Sequence, residues 1–189
     1  MAKFLASLTT LCYIERDGKY LMLHRVKKGH DINKDKWIGV GGHFEKDESP
    51  DECLKREVLE ETGCTLEHAE LRGIVTFISG STAGSHGGDV NVSGDAGADV
   101  SESCADVSGD GVTEYMFLYT GSGLCGELIE CDEGEFAWVD KEAVFDLELW
   151  EGDKIFMRLL EERRDFFSLK LVYDGSGNMI KAELDGEQI

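Results

Sequence analysis

Between Gly41 and Cys64 the chain reads GGHFEKDESPDECLKREVLEETGC, and the local rules for starting and stopping a helix leave this stretch little freedom. Ser49 can cap a helix, Pro50 suits its first turn, and Glu52 stands where it completes a capping box with Ser49. Gly63 falls where a left-handed C-terminal cap is expected. Ahead of the helix, Gly41-Gly42 marks a place where only backbone fits. On a helix so bounded, Glu57, Glu60 and Glu61 lie at i, i+3 and i+4, which puts three carboxylates on one face. Like charges this close repel, raise one another's pKa and weaken the helix, so a concentrated acidic face beside a Gly-Gly turn suggests a bound cation. Magnesium fits best, because it prefers oxygen ligands, keeps several waters and commonly bridges one or two carboxylates to substrate phosphates. Taken alone, however, a Glu-rich helix face is usually solvated surface.

The charge balance directs the search the same way. With 39 acidic against 19 basic residues the formal net charge is −20, which repels a phosphate backbone and leaves no basic stripe to release counterions. A nucleic-acid polymer is therefore not expected as a partner. An acidic protein that handles anionic nucleotides must neutralise them locally, and divalent metals on clustered carboxylates are the usual means. The six cysteines (Cys12, Cys53, Cys64, Cys104, Cys125 and Cys131) form no CxxC pair and no zinc-like spacing, and read as the reduced thiols of a cytoplasmic protein. The apolar stretch after Lys3 lacks a clear cleavage site and runs into strand-like sequence, and no apolar run is long enough to span a bilayer, so no membrane role is expected. No Ser/His/Asp or Cys/His arrangement offers a covalent nucleophile.

A chain of 189 residues, 41% hydrophobic and with one proline, can bury one substantial core, and a single domain over 1–189 is expected. Leu8 to Ile14 and Tyr20 to His24 read as a hairpin turning at Asp17-Gly18. Lys27 to Lys36 reads as a loop and Trp37 to Val40 as a short strand. Beyond the helix, strands are expected at Gly73 to Ile78, Glu114 to Thr120 and Gly134 to Val139. Ile155, Phe156, Leu159 and Leu160 give Asp153 to Arg164 the stripe of an amphipathic helix. A hairpin of Phe167 to Tyr173 and Met179 to Leu184 closes the chain. The sum is an α+β fold, a mixed sheet with helices packed on it. The segment Gly80 to Val112 stands apart: it has no lysine, arginine or aromatic residue and repeats Gly-Asp, Ala-Asp-Val and Ser-Gly-Asp imperfectly. It cannot bury enough apolar surface to pack by itself and is expected to be an inserted surface loop. Its Asp89, Asp95, Asp99, Asp106 and Asp110 could recruit calcium, but the spacing of calcium-binding β-rolls and EF-hands is missing, so a solvated linker is expected.

The pattern around the three glutamates is far more specific than the glutamates themselves. Gly42, Glu48, Arg56, Glu57, Val58, Glu60, Glu61, Gly63 and Cys64 match GX5EX7REUXEEXGU, U being aliphatic, without a gap; only Cys64 is a soft match. In this the chain resembles the Nudix hydrolases, which cleave nucleoside diphosphates linked to another group. The resemblance implies a mixed β-sheet sandwiched between α-helices (α/β/α), with magnesium as cofactor and manganese as its substitute. It makes Glu57, Glu60 and Glu61 the principal metal ligands, with Gly42 beside them, and one of these glutamates or a carboxylate from outside the box the activator of water. Arg56 would orient the glutamates and Glu48 would act as a further charge partner.

The resemblance is closest to the MutT-like branch that hydrolyses oxidised purine nucleoside triphosphates such as 8-oxo-dGTP, and it covers nearly the whole chain except the insertion. It implies that Arg25 faces the phosphates, that Gly41 and Gly42 line the substrate, and that Glu133, upstream of Trp138 in CDEGEFAWV, is a fourth metal carboxylate, with Glu135 a weaker candidate. In WEGDKIF, Trp150 would stack on the base and Asp153 would hydrogen-bond its edge. Each has a plainer alternative: Arg25 as a surface arginine at a strand end, Trp150 as core, and Asp153 as an acidic residue favoured by the helix dipole. The branch often has Asn after the Trp of its WxGxGG stretch, whereas this chain has Ile38, which removes a base-edge contact. Hydrolysis of ADP-ribose or a nucleotide sugar is the alternative reading, and a catalytically silent Nudix binding domain a more distant one, since all three box glutamates are present.

Overall fold

The structure is a computed structural model that describes residues 6–27, 33–80, 112–163 and 165–189. The expected hairpin forms as β1 (Ala6–Arg16) and β2 (Lys19–His24), turning through Asp17 and Gly18, both at positive φ. The two strands stay paired only from Ile14 to Arg16 and then diverge. The next segment fills the wedge between them. β3 (Trp37–Ile38) pairs with β2, Val40 bridges to Cys12 and His43 to Thr9 of β1. This wedge carries Gly41-Gly42 along β1 and delivers the chain to the start of α1 (Pro50–Thr62).

α1 keeps every expected boundary. The Ser49 side chain accepts the Glu52 N–H, Glu52 reaches back to the Ser49 N–H, Pro50 opens the first turn, and Gly63 closes the helix at φ 71. Beyond it run β4 (Thr65–Ser79) and β5 (Val112–Cys125), antiparallel along their length with a bulge between Leu71 and Gly73. Both are longer than the sequence suggests. Most of Thr65 to Leu71 is exposed, so it lacks the apolar alternation that marks a strand and is held by the ladder instead. Ser79 pairs with Val112, which brings together the ends of the expected insertion; residues 81–111, with the five aspartates and Cys104, lie outside the described residues.

β6 (Glu135–Asp140) adds to the free edge of β2, and a turn of 3-10 helix at Val144–Asp146 leads to α2 (Glu151–Glu162). β7 (Phe167–Tyr173), β8 (Met179–Leu184) and β9 (Glu187–Gln188) finish the sheet, in the order β3-β2-β1-β5-β4-β7-β8-β9. β1 with β5 and β4 with β7 are parallel pairs; the rest are antiparallel. The sheet is therefore mixed, as expected.

Alternation along the central strands gives it two apolar faces. Leu11, Tyr13, Tyr20, Met22 and Leu118 pack with Phe156, Met157 and Leu160 of α2. Cys12, Ile14, Leu21 and Tyr119 pack with Leu54 and Val58 of α1. Burying a side chain such as Leu54 stabilises the fold by about 2 kcal/mol, and the same contact fixes which face of α1 remains outside. The helices sandwich the sheet. The cysteines among the described residues are all free, and no helix among them is long and apolar enough to cross a membrane.

Candidate active site

With Leu54 and Val58 turned inward, Arg56, Glu57, Glu60 and Glu61 lie toward the Gly41–Glu48 loop. Arg56 gathers that loop and the helix around one guanidinium. Its Nε donates to Glu48 Oε1 at 2.7 Å and its Nη2 to Glu48 Oε2 at 3.0 Å. Nη1 donates to Glu57 at 2.7 Å and to Glu60 at 3.0 Å, and Nη2 also reaches the His43 carbonyl at 2.9 Å. A planar fork of five donors can serve this many acceptors, which an ammonium cannot. The Arg56 bonds, with the Glu45 N–H, hold the Glu48 carboxyl down at about 2, so it is ionised at neutral pH.

Gly41 and Gly42 do different things. A Cβ on Gly41 would lie 2.1 Å from the Thr10 carbonyl oxygen, so close approach to β1 requires glycine there. A Cβ on Gly42 would lie 2.5 Å from the Glu57 carboxyl, so this glycine makes room for the carboxylate itself. The Gly42 carbonyl accepts the Thr10 N–H at 2.9 Å and, more weakly, the Cys53 thiol at 3.8 Å.

Glu61 turns the other way. Its carboxylate accepts the Gly41 N–H at 3.2 Å. Burial, the neighbouring Glu133 charge and Glu57 push its pKa up to about 8, against the pull of the Gly41 N–H and of Arg25. Glu57 and Glu133 thus both act on Glu61, although Glu133 comes from far along the chain. The Arg25 guanidinium pairs with Glu133. The backbone joins the two segments as well, for Lys27 N–H donates to the Glu133 carbonyl at 3.3 Å, and a Cβ on Gly134 would strike the His24 carbonyl oxygen at 2.0 Å. Glu135 is exposed on β6 opposite His24.

A carboxylate that holds its proton near neutrality because it is buried and two others act on it belongs to a donor set short of positive charge, and this fits a divalent cation. Among the described residues no three acidic, thiol or imidazole groups close into a ready-made cage. Magnesium does not need one, since it takes one or two carboxylates and completes its shell with water and substrate phosphate.

The expected base-side residues meet at the start of α2. Trp150 is its N-cap, and Asp153 is buried in its first turn, 6% exposed. Burial pushes the Asp153 pKa up to about 7, against the Trp150 backbone N–H and the Lys36 ammonium, which pull it down. Both plainer alternatives are thus partly realised: Trp150 is half-buried and Asp153 sits at a helix N-terminus. Ile38 pairs with Leu23 in the sheet. Sequence reasoning passed over Asn33, whose Oδ1 accepts the Trp150 indole N–H at 2.8 Å, and Lys36, whose ammonium lies 5.1 Å from the centre of that ring. It also missed Tyr173, whose hydroxyl accepts the Gly152 N–H at 3.1 Å and so caps α2 from across the sheet. No local signal could have found these long-range partners.

The chain is similar to known proteins over most of its length. The NUDIX domain model matches residues 7–160. The chain is 24% identical over 183 residues to the uncharacterized Nudix hydrolase YvcI of Bacillus subtilis (strain 168), covering 95% of each. It is 23% identical over 184 residues to the oxidized purine nucleoside triphosphate hydrolase of Danio rerio, covering 96% of each. The crystal structure of a MutT protein from Bacillus halodurans superposes with a TM-score of 0.73 at 23% identity, covering 96% of this chain and 99% of that one. The chain belongs to the Nudix family and is an enzyme of the Nudix hydrolase type, acting on substrates in which a nucleoside diphosphate is linked to a further group.

Proposed function

We propose that the enzyme hydrolyses a nucleoside triphosphate with an oxidised purine, such as 8-oxo-dGTP, to the monophosphate and pyrophosphate, and so clears damaged nucleotides from the precursor pool. The observation that carries this reading is the pairing of Trp150 with a buried Asp153 one helical turn away. An indole offers a flat stacking surface, and a carboxyl titrating near 7 can donate or accept a hydrogen bond at a base edge. The name of the Danio rerio relative points the same way.

In this reading Glu57, Glu60, Glu61 and Glu133, with the Gly42 carbonyl, hold magnesium or manganese. When bound, the metal neutralises phosphoryl charge and makes water more acidic. The chain's own residues do the rest. Arg56 fixes Glu57 and Glu60 so that a carboxylate can take the proton of the attacking water. The water oxygen bonds to phosphorus as the bridging bond between the α- and β-phosphates breaks, and pyrophosphate leaves. Arg25, paired with Glu133, offers guanidinium donors to the phosphates, and Gly41 and Gly42 let them approach the backbone. We further read the chain as one domain over 1–189, with residues 80–112 as a surface insertion.

Incubation with magnesium and a panel of 8-oxo-dGTP, dGTP, dATP and ADP-ribose, followed by product identification, tests the reading. Preferential release of 8-oxo-dGMP and pyrophosphate is expected. Turnover of ADP-ribose far above every triphosphate would replace it with the ADP-ribose or nucleotide-sugar alternative.

A further inference from the structure

Trp150 is held by more than the helix it caps. Its indole N–H donates to Asn33 at 2.8 Å, and the Lys36 ammonium over its ring is itself steadied by Glu148 at 3.5 Å. Asn33 and Lys36 belong to one turn, closed by a 2.9 Å bond from Lys36 N–H to the Asn33 carbonyl, with Asp35 at φ 64. This turn is bonded to Arg25 in both directions. Arg25 N–H donates to the Lys36 carbonyl at 3.0 Å, and Asp35 N–H to the Arg25 carbonyl at 2.8 Å. The Arg25 side chain then pairs with Glu133. A continuous run of bonds therefore leads from the indole to the acidic centre.

We infer that Asn33 is a positioning residue for substrate: through the indole N–H, and backed by Lys36 on the ring face, the Asn33–Lys36 turn fixes the orientation of Trp150 and its distance from the Arg25–Glu133 pair. The inference rests on the reading of Trp150 as the surface on which the base stacks. An indole turns about two side-chain bonds, and a hydrogen bond at its far edge stops the second of them. Ordering the ring before substrate arrives removes that cost from binding. The Lys36 ammonium over one face of the ring adds a second restraint and leaves the stacking role to the opposite face. The Asn33 amide thus sets how well the ring meets a base whose phosphates are already held at the other end of the turn.

Loss of such ordering falls on binding and leaves attack at phosphorus alone. The test measures kcat, KM and thermal midpoint for Asn33→Ala, Trp150→Phe and the double variant, with magnesium and 8-oxo-dGTP, dGTP and dATP. Asn33→Ala is expected to raise KM about three- to tenfold, the span of one lost hydrogen bond, with kcat within about twofold of the parent. Trp150→Phe keeps a ring but has no N–H, so adding Asn33→Ala to it should raise KM no further. A raised KM in Trp150→Phe with an unchanged KM in Asn33→Ala would overturn the inference and leave the stacking role standing. Unchanged KM in both would remove the stacking role and the inference with it, as would failure to hydrolyse any of the three triphosphates. A lower midpoint with kcat and KM both degraded, or additive effects in the double variant, would make Asn33 a structural residue only.

Discussion

Asp153→Asn should make the protein more stable at alkaline pH, and the gain should appear over a defined interval. Asp153 is 6% exposed, and its pKa rises from 3.8 in the ordinary carboxyl to about 7 in the folded protein, with burial the main cause. Below the lower value both folded and unfolded chains hold the proton, and the group contributes nothing to pH dependence. Between the two values the unfolded chain ionises while the folded one does not, so unfolding releases a proton and stability falls as pH rises. Above about 7 both are ionised and the penalty is constant. Each pH step of one across this interval changes stability by about 1.4 kcal/mol, so the whole interval is on the order of 4 kcal/mol. Asparagine has the same shape, can still accept the Trp150 N–H, and does not titrate. Urea unfolding of both proteins from pH 5.5 to 8.5 isolates this contribution, because every other carboxylate is common to the two. The stability of Asp153→Asn relative to the parent should grow by about 2 kcal/mol between pH 5.5 and 7 and then level off. A difference that did not change with pH would mean that Asp153 titrates as an exposed carboxyl. The same flat difference would follow if attraction to Lys36 outweighed burial, because both chains would then be ionised over the whole range, and either cause would refute the reading of Asp153 as a buried carboxyl.

Glu57→Gln and Glu60→Gln should each lower turnover by orders of magnitude, about a hundredfold or more, with little loss of folding by circular dichroism; unchanged turnover would remove these residues from the chemistry. Gly41→Ala and Gly42→Ala should part company. The first drives a methyl group into the Thr10 backbone and should lower stability by about 2 kcal/mol or more in chemical denaturation. The second meets only the movable Glu57 carboxyl and should fold normally while losing activity. Ser49→Ala removes the acceptor of the Glu52 N–H, and should cost about 1 kcal/mol of stability while leaving metal-dependent turnover at saturating substrate near the parent value.

What could be read from the sequence was what local chemistry decides. Ser49, Pro50, Glu52 and Gly63 bound α1 to the residue because capping depends on groups within one turn of each other. The sequence pattern starts α2 at Asp153 whereas the helix begins at Glu151, because the Gly152 N–H of its first turn is met by the Tyr173 hydroxyl from a strand still to come. The outer halves of β4 and β5 were invisible for a related reason: they pair along an exposed ladder that no apolar alternation announces. At the site, the need for glycine at positions 41 and 42 was legible but the two different reasons were not. Glu133 could be proposed only from a resemblance, since its link to Glu61 and Arg25 spans the chain.

Arg56 and Glu61 together explain how a helix can carry so much negative charge on one side and still fold. Glu48, Glu57 and Glu60 all converge on the Arg56 guanidinium, which spreads its donors over two of the three along the helix and the third in the loop before it. One guanidinium gives each of the three carboxylates a donor without cancelling their summed charge, and the lowered pKa of Glu48 records its share of that contact. Glu61 is outside the arrangement. It accepts the Gly41 N–H, is buried, and feels the charges of Glu133 and Glu57, and it holds its proton near neutrality as a result. The acidic face is therefore divided into a part whose position Arg56 fixes and a part that Arg56 does not reach; both keep an excess of negative charge, which suits a divalent ion. Glu57 joins the two parts, bonded to Arg56 on one side and acting on Glu61 on the other. A change at Glu57 should for that reason reach both the geometry of the box and its capacity for metal, whereas a change at Glu48 reaches the geometry alone.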